Sequence, residues 1–165
     1  IFPDEWQQYI RPIALEQRNA LISAYYKMLT SENELERMAA AKAWSGWEGE
    51  CSTLKINKSV RDQFTQPQTA LAMARIECHF FINESFIEEN QIIENMHKIS
   101  HIPGAIVHGR YDMVCPVDNA FELKNNWLEA RLNIVRDAGH SAFEPGNIDA
   151  LIRATIETAR RLNKK

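Results

Sequence analysis

The sequence predicts an α/β protein in which a mostly α-helical block, residues 1–100, precedes the last two strand–helix units of a parallel sheet, residues 101–165. Two observations carry this prediction. Apolar side chains recur at helical spacing through much of the first block, whereas two short β-type runs, residues 105–108 and 132–135, follow it. A helical segment over residues 117–127 separates these runs, and this alternation is typical of parallel strands joined by crossover connections.

The helical block divides into successive helices. Pro3, followed by two acidic residues, predicts a helix N-terminus, because a missing amide proton is harmless there and negative charge suits the helix dipole. Residues 15–29 carry apolar side chains at helical spacing and predict one helix. Ser31 and Glu34 fit a capping box, which predicts the start of the next helix.

Further along the block the periodicity is weaker. Residues 51–68 show no clear period, which predicts mostly loop. Residues 69–81 predict an apolar helix, and residues 88–100 predict a more polar, amphipathic one. After the two strand–helix units, residues 148–162 predict a closing helix with one buried face.

Composition argues against several classes of function. The chain of 165 residues has 22 acidic and 19 basic side chains, a net charge of −3, which argues against nucleic acid as a partner. No apolar run reaches the roughly 18 residues of a membrane span, so we expect no membrane. Cys51, Cys78 and Cys115 form no Cys-x-x-Cys pair, which favours a reducing, cytoplasmic location. The abrupt start at Ile1, without Met, is expected of a piece cut from a longer chain.

A carboxylate and an imidazole follow the two predicted strands. Asp112 ends the turn Gly-Arg-Tyr-Asp, and His140 ends the turn Asp-Ala-Gly-His. Their order matches the last two members of a Ser–Asp–His triad, in which the carboxylate orients the imidazole and the imidazole moves the proton of the nucleophile. No Gly-x-Ser-x-Gly occurs in the chain, so we expect the nucleophile elsewhere. A helix-capping aspartate and a surface histidine are the alternative.

Six segments carry a resemblance to a known family. They read FPDEW at 2–6, LTSEN at 29–33, AKAWSGWEG at 41–49, ALAMARIECHFF at 70–81, IPGAIVHGRYDMVCP at 102–116 and DAGHSAFEPG at 137–146. Together they resemble the proline iminopeptidases of the α/β-hydrolase superfamily over nearly the whole chain. The resemblance implies the C-terminal half of such an enzyme, with residues 1–100 as its helical cap. Cys78 stands where the family motif usually has Asn, and we expect it to affect packing more than chemistry.

The resemblance also implies an activity. A member of this family is a serine aminopeptidase that releases N-terminal proline from peptides by acyl transfer, with Asp112 and His140 as catalytic residues. Its partners would be a peptide with an N-terminal proline and the N-terminal half of the same enzyme, which carries the nucleophilic serine. No metal or organic cofactor is implied. This chain alone is expected to be inactive.

Two glutamates are the candidate substrate-binding residues. Glu48 and Glu77 each lie among apolar residues in a predicted helix, where an isolated buried carboxylate is costly unless it is paired. The resemblance implies that both receive the protonated amino terminus of the substrate. The alternative is that Lys42 or Arg75 neutralises them, or that they point outward. Four aromatic residues either line a proline-sized pocket or belong to the core: Trp44, Trp47, Phe80 and Phe81.

Other candidate sites and functions remain open at this point. His97 and His101 have the four-residue spacing of a helical metal site, but no third ligand is nearby in the sequence, and we predict no metal. Cys115 lacks an activating partner of its own, so we expect a bystander. The alternative functions are another α/β-hydrolase, such as an esterase or epoxide hydrolase, and a non-catalytic helical interaction module. The two glutamates favour the aminopeptidase, because neutral esters and epoxides offer no cation.

Overall fold

The computed structural model describes residues 2–163, which form two compact units. Residues 2–50 and 56–88 make one unit, and residues 51–55 and 89–163 make the other. The predicted domain boundary at residue 100 stays a prediction. Ile1, Lys164 and Lys165 lie outside the described residues. Across residues 2–163, none of the helices combines the length and the hydropathy that crossing a membrane requires.

The first unit is built from α-helices and short 3-10 turns. In chain order these are α1 (Pro3–Ile10), a 3-10 turn (Leu15–Gln17), α2 (Leu21–Leu29), α3 (Glu34–Cys51), α4 (Lys58–Phe64), α5 (Pro67–Ile82) and a second 3-10 turn (Glu84–Phe86). The predicted helix start at Pro3 is confirmed. The predicted helix over residues 69–81 is also confirmed, and it begins two residues earlier at Pro67, where proline again suits a first turn.

Asparagine side chains explain two of the wrong local predictions. The N-cap of α3 is Asn33, whose Oδ1 accepts the Leu35 amide proton at 3.0 Å, whereas Ser31 donates to the Glu36 carboxylate at 2.6 Å. The capping box at Ser31 and Glu34 is therefore wrong. Similarly, the predicted loop over residues 51–68 contains α4, which begins where the Asn57 side chain accepts the amide protons of Ser59 and Val60.

Two predicted helices are interrupted. Residues 15–29 form a 3-10 turn and then α2, instead of one helix. Residues 88–100 form only α6 (Gln91–Glu94) and a 3-10 turn (Met96–Lys98). Asn90 precedes α6 with φ 58°, and the Asn95 side chain bonds the Gln91 carbonyl oxygen at 2.7 Å, so a left-handed residue and a side-chain bond delimit this single turn.

Small residues form the buried face of α5. Ala70, Ala74 and Cys78 are all buried and recur every four residues, which lets α2 approach closely. The Ser45 hydroxyl donates to the Ala70 carbonyl oxygen at 3.1 Å, and the Cys78 thiol donates to the Ile22 carbonyl oxygen at 3.6 Å. Burial raises the pKa of the Cys78 thiol to about 11. Cys78 is therefore a neutral packing residue at ordinary pH.

The second unit contains the predicted parallel sheet. Strands β1 (Gly104–Gly109) and β2 (Ala130–Val135) pair in parallel, and α7 (Val117–Asn126) lies between them in the chain. The closing helix α8 (Pro145–Leu162) contacts both strands, where Val107, Val135, Ala138 and Ala150 form a small apolar cluster. The prediction of a mixed fold with two parallel strand–helix units is confirmed.

Candidate active site

Two turns meet beyond the carboxyl ends of the parallel strands. The register pairs Gly109 with Val135, the last residues of β1 and β2, so both turns leave the sheet at one edge. Backbone hydrogen bonds join them: the Arg110 amide donates to the Val135 carbonyl at 2.8 Å, and the Tyr111 amide donates to the Ala138 carbonyl at 3.0 Å. In open α/β sheets this edge is where ligands bind.

Gly109 allows the two turns to come this close. A Cβ atom at this position would lie 2.0 Å from the Gly139 carbonyl oxygen and 2.7 Å from the Ala138 carbonyl oxygen. Both are backbone atoms, so no side-chain rotation relieves the clash. Residue 109 must therefore be glycine, because the backbone of the neighbouring turn lies too close for a side chain.

Asp112 is held by bonds to both of its carboxylate oxygens. Oδ1 accepts the amide protons of Val114 at 2.9 Å and Cys115 at 2.7 Å, and Oδ2 lies 3.0 Å from Nδ1 of His140. Only 8% of Asp112 is exposed. Hydrogen bonds to an ionised carboxylate are among the stronger ones in proteins, so these contacts fix the orientation of the group.

The contact with Asp112 fixes the tautomer of His140. An ionised carboxylate only accepts hydrogen bonds, so Nδ1 of His140 carries the proton and Nε2 carries the lone pair that a general base needs. The His140 side chain is 36% exposed. The structure thus brings together the two residues singled out as catalytic, and their catalytic role stays a prediction.

Glu144 holds the turn that carries His140. Its Oε1 accepts the Gly139 amide proton at 2.8 Å, and its Oε2 accepts the Leu54 amide proton at 3.3 Å. Glu144 immediately precedes Pro145, the first residue of α8. The residue at the N-terminus of the closing helix therefore anchors Gly139, which directly precedes His140.

Asn147 holds the same turn from its other side. Its amide group, Nδ2, donates to the carbonyl oxygens of Gly139 at 3.1 Å and Ser141 at 2.9 Å, the residues on either side of His140. Asn147 is only 4% exposed. The sequence analysis missed both Glu144 and Asn147. Their signal in the sequence is weak: polar residues around the first turn of a helix that follows a glycine turn.

Glu77 is oriented by a tryptophan in the helical unit. The indole Nε1 of Trp44 donates to its Oε2 at 2.7 Å. Trp44 is buried, and its ring lies 5.1 Å from that of Tyr25 and 6.0 Å from that of Tyr9, measured between centroids. Tyr9, Tyr25 and Trp44 are called the aromatic cluster below. Glu77 itself is half-buried.

Glu48 borders the same aromatic cluster. It lies one helical turn after Trp44 on α3 and is half-buried. Burial raises the pKa of the Tyr9 phenol, and the nearby Cys78 and the negative charge of Glu48 raise it further. The structure thus associates both predicted substrate-binding glutamates with one set of rings.

The four predicted pocket aromatics do not share one environment. The Trp47 ring lies 5.6 Å from Tyr9 and the Phe81 ring lies 6.0 Å from Trp44, so both contact the aromatic cluster to which Trp44 belongs. Phe80 packs edge-on against Phe86, 5.6 Å away. Phe80 therefore packs against a ring outside the aromatic cluster.

The two histidines with the spacing of a metal site, His97 and His101, are not predicted to bind metal. Nδ1 of His97 donates to the Glu94 carbonyl oxygen at 3.0 Å, which ties the imidazole to the preceding turn. Within residues 2–163, no group of three or more histidine, cysteine and acidic side chains is arranged to hold a metal ion. Cys115 is exposed, whereas Cys51 and Cys78 are buried.

Comparison with known proteins gives several close relatives. A proline iminopeptidase of Xylella fastidiosa (strain 9a5c) is 52% identical over 156 residues, which cover 94% of this chain and 50% of the relative. A probable proline iminopeptidase of Leptolyngbya boryana is 49% identical, with 100% of this chain and 52% of the relative covered. A proline iminopeptidase of Arabidopsis thaliana is 41% identical, with 88% and 39% covered.

The matches cover nearly all of this chain but only about half of each of the first relatives named. No protein-family model matches the chain. The chain spans about half the length of the curated relatives it matches, which is consistent with the predicted C-terminal half. Since the identity extends over almost all of its residues, this chain is a homologue of the proline iminopeptidases.

Proposed function

We propose that this chain is the C-terminal half of a serine aminopeptidase that releases proline from the N-terminus of peptides. The observation that carries the proposal is the 3.0 Å contact of Asp112 with His140, beyond the carboxyl ends of parallel strands, in a homologue of the proline iminopeptidases. The nucleophilic serine and the oxyanion hole would come from the N-terminal half, the chain's partner in the complete enzyme.

In the proposed reaction His140 moves a proton twice. Its Nε2 takes the proton of the serine hydroxyl as the serine oxygen attacks the prolyl carbonyl carbon, and it gives that proton to the departing peptide nitrogen as the C–N bond breaks. Water then attacks the prolyl ester carbonyl carbon while Nε2 takes one of its protons, and Nε2 gives that proton to the serine oxygen as the ester bond breaks. The Asp112 carboxylate keeps Nδ1 protonated and stabilises the imidazolium that forms.

Glu48 and Glu77 would select the substrate by its charge. A peptide that begins with proline presents a protonated secondary amine, which loses hydration when it enters a site lined by rings. A fixed carboxylate offsets that loss, and its attraction is stronger where water is excluded. The Trp44 indole supports this role because its hydrogen bond holds the Glu77 carboxylate in a fixed orientation.

The proposed chemistry needs neither a metal nor an organic cofactor, since nucleophile, base and acid are all side chains. We also propose a cytoplasmic location for the enzyme. The sequence supports a reducing compartment, because its three cysteines form no Cys-x-x-Cys pair.

The test is Asp112→Asn in the full-length protein, assayed with a prolyl chromogenic amide. The Asn amide favours the wrong imidazole tautomer, so we expect kcat to fall by as much as about 10⁴-fold while KM changes far less. Activity within threefold of the unaltered protein would mean that Asp112 does not orient His140. An enzyme that cleaves neutral esters but no prolyl amide would favour the esterase alternative.

The isolated chain provides a second test. Because the chain contains no Gly-x-Ser-x-Gly, we expect no turnover of the prolyl amide by the pure 165-residue chain. Turnover at a rate near that of the full-length protein would place a nucleophile within these residues and contradict the proposal.

A further inference from the structure

A second histidine lies beside the carboxylate of Asp112. His108 is the penultimate residue of β1, and its side chain is 15% exposed. Its Nε2 lies 3.0 Å from the Cys115 carbonyl oxygen and 3.6 Å from Oδ2 of Asp112. Asp112 is thus flanked by two imidazoles, His140 and His108, only one of which the proposed reaction uses.

The contact with Cys115 determines where the proton of His108 lies. A carbonyl oxygen only accepts hydrogen bonds, so Nε2 must carry a hydrogen whether the ring is neutral or charged. The 3.6 Å separation from Oδ2 is too long for a good hydrogen bond. The bond to the Cys115 carbonyl is therefore the hydrogen bond that His108 makes at this turn.

His108 also completes the support of the Cys115 peptide. The Cys115 amide donates to Oδ1 of Asp112 at 2.7 Å, and the Cys115 carbonyl accepts from His108 at 3.0 Å. The His108 side chain, on β1, therefore bonds the far end of the turn that begins at Gly109. Without it, Cys115 loses this hydrogen bond to β1. The Cys115 amide, one of the two donors to Oδ1 of Asp112, is then held less firmly.

We propose that His108 is a positioning residue for the reaction: by bonding the Cys115 carbonyl, it holds the Asp112 carboxylate in the orientation that His140 needs. This rests on the proposed aminopeptidase function and extends it. His108 acts through Asp112 and contacts neither the nucleophile nor the proline. A misplacement of about 1 Å in such a group can cost about 100-fold in rate.

The test compares two variants of His108 in the full-length protein. His108→Gln keeps a donor, since the Gln amide nitrogen occupies about the position of the imidazole Nε2. His108→Leu keeps an apolar side chain of moderate size and removes the donor. His101→Leu is the matched control, because His101 is an exposed histidine of the same unit. Measured quantities are kcat and KM on the prolyl amide, with melting temperature as a check of folding.

We expect His108→Leu to lower kcat by about 10- to 100-fold with KM within about threefold, and His108→Gln to keep kcat within about threefold of the unaltered protein. His101→Leu should change neither. Equal losses in the Leu and Gln variants, an unchanged kcat in the Leu variant, or a loss confined to KM would each overturn the proposal. If the Leu variant does not fold, His108→Asn replaces it under the same criteria, because the Asn amide is too short to reach the Cys115 carbonyl.

Failure of this proposal is distinguishable from failure of the proposed function. If Asp112→Asn leaves the prolyl amide activity intact, then the proposed function fails whatever His108 does. If Asp112→Asn abolishes activity and His108→Leu does not lower kcat, only the positioning role of His108 fails.

Discussion

The indole Nε1 of Trp44 donates a 2.7 Å hydrogen bond to Oε2 of Glu77. The two residues are far apart in the chain, on α3 and α5, so the bond also ties these two helices together. The bond fixes the orientation of the Glu77 carboxylate, which the proposed binding of a protonated amine by this residue requires.

The first prediction concerns selectivity for the charged amine. In the full-length protein, Glu48→Gln and Glu77→Gln should each weaken turnover of a prolyl amide, because losing a hydrogen bond to a charged group costs about 1.5–3 kcal/mol. If the charge acts equally in ground and transition states, the loss appears as a higher KM with little change in kcat. Steady-state kinetics on the amide measure both.

A small neutral ester is the control substrate for these variants. The ester presents no cation, so its hydrolysis should change by less than about threefold in either variant. On the amide, the losses caused by the two substitutions should not add in the double variant, because both carboxylates bind the same cation. Equal losses on amide and ester would assign a structural role to the glutamates.

The second prediction concerns the turn that carries His140. Asn147→Asp replaces the donor that bonds the Gly139 and Ser141 carbonyls by an oxygen that repels them. We expect a loss of about 1–3 kcal/mol in the free energy of unfolding, and a lower kcat because His140 is displaced. Asn126→Asp is the control: Asn126 bonds a carbonyl at 2.9 Å but is exposed, so water can replace the bond. Comparable losses in both variants would contradict the role of Asn147.

The third prediction compares two glycines. Gly109→Ala forces a Cβ into the backbone of the neighbouring turn, and we expect it to cost about 3 kcal/mol or more and to abolish activity. Gly46→Ala, within α3, meets nothing closer than a Thr65 methyl at 3.7 Å and should stabilise the protein by about 0.5–1 kcal/mol. Denaturant unfolding measures both free energies. A Gly109→Ala protein with normal stability would contradict the close approach of the turns.

The fourth prediction concerns the pH dependence of stability. Burial raises the pKa of the Glu50 carboxyl, and the charge of Glu5 raises it further, against the lowering effect of Arg61 at 3.1 Å. The folded state then holds this proton more tightly than the unfolded state does. The resulting stabilisation is fully present below the unfolded pKa and is lost as the pH rises through the folded pKa.

Glu50→Gln tests this sign, because its amide cannot ionise. We expect the variant to melt at a higher temperature than the unaltered protein at pH 7, and the difference to shrink towards zero near pH 4. Glu157→Gln is the control, since the ion pair of Glu157 with Arg131 is exposed and should matter little at either pH. A lower melting temperature for Glu50→Gln at pH 7 would mean that the attraction to Arg61 dominates.

Local signals explain which parts of this structure the sequence predicts. Each β-type run is directly followed by its turn in the chain, so the parallel pair follows from their order. The meeting of Asp112 with His140 is predicted from this order together with the surrounding motifs. The helix start at Pro3 is likewise a local signal, carried by the proline and the two acidic residues after it. These predictions succeed because nothing distant in the chain competes with them.

The rest depends on contacts that no short pattern encodes. Asn147 and Glu144 matter because their side chains reach the backbone around His140, and His108 matters because it reaches Cys115. The prediction of helix starts fails for a related reason. Asn33 and Asn57 cap helices in the structure, whereas the sequence pattern at Ser31 also fits a cap. The choice between such caps is made by three-dimensional context.

The small buried face of α5 has a consequence for how this protein can diverge. At Ala70, Ala74 and Cys78 the neighbouring helix lies too close for a long side chain, so evolution can exchange the chemistry of these positions but not their size. Cysteine and asparagine are similar in volume, and the thiol finds a carbonyl acceptor in Ile22. The departure from the family motif at residue 78 is thus a substitution that the spacing of the helices tolerates.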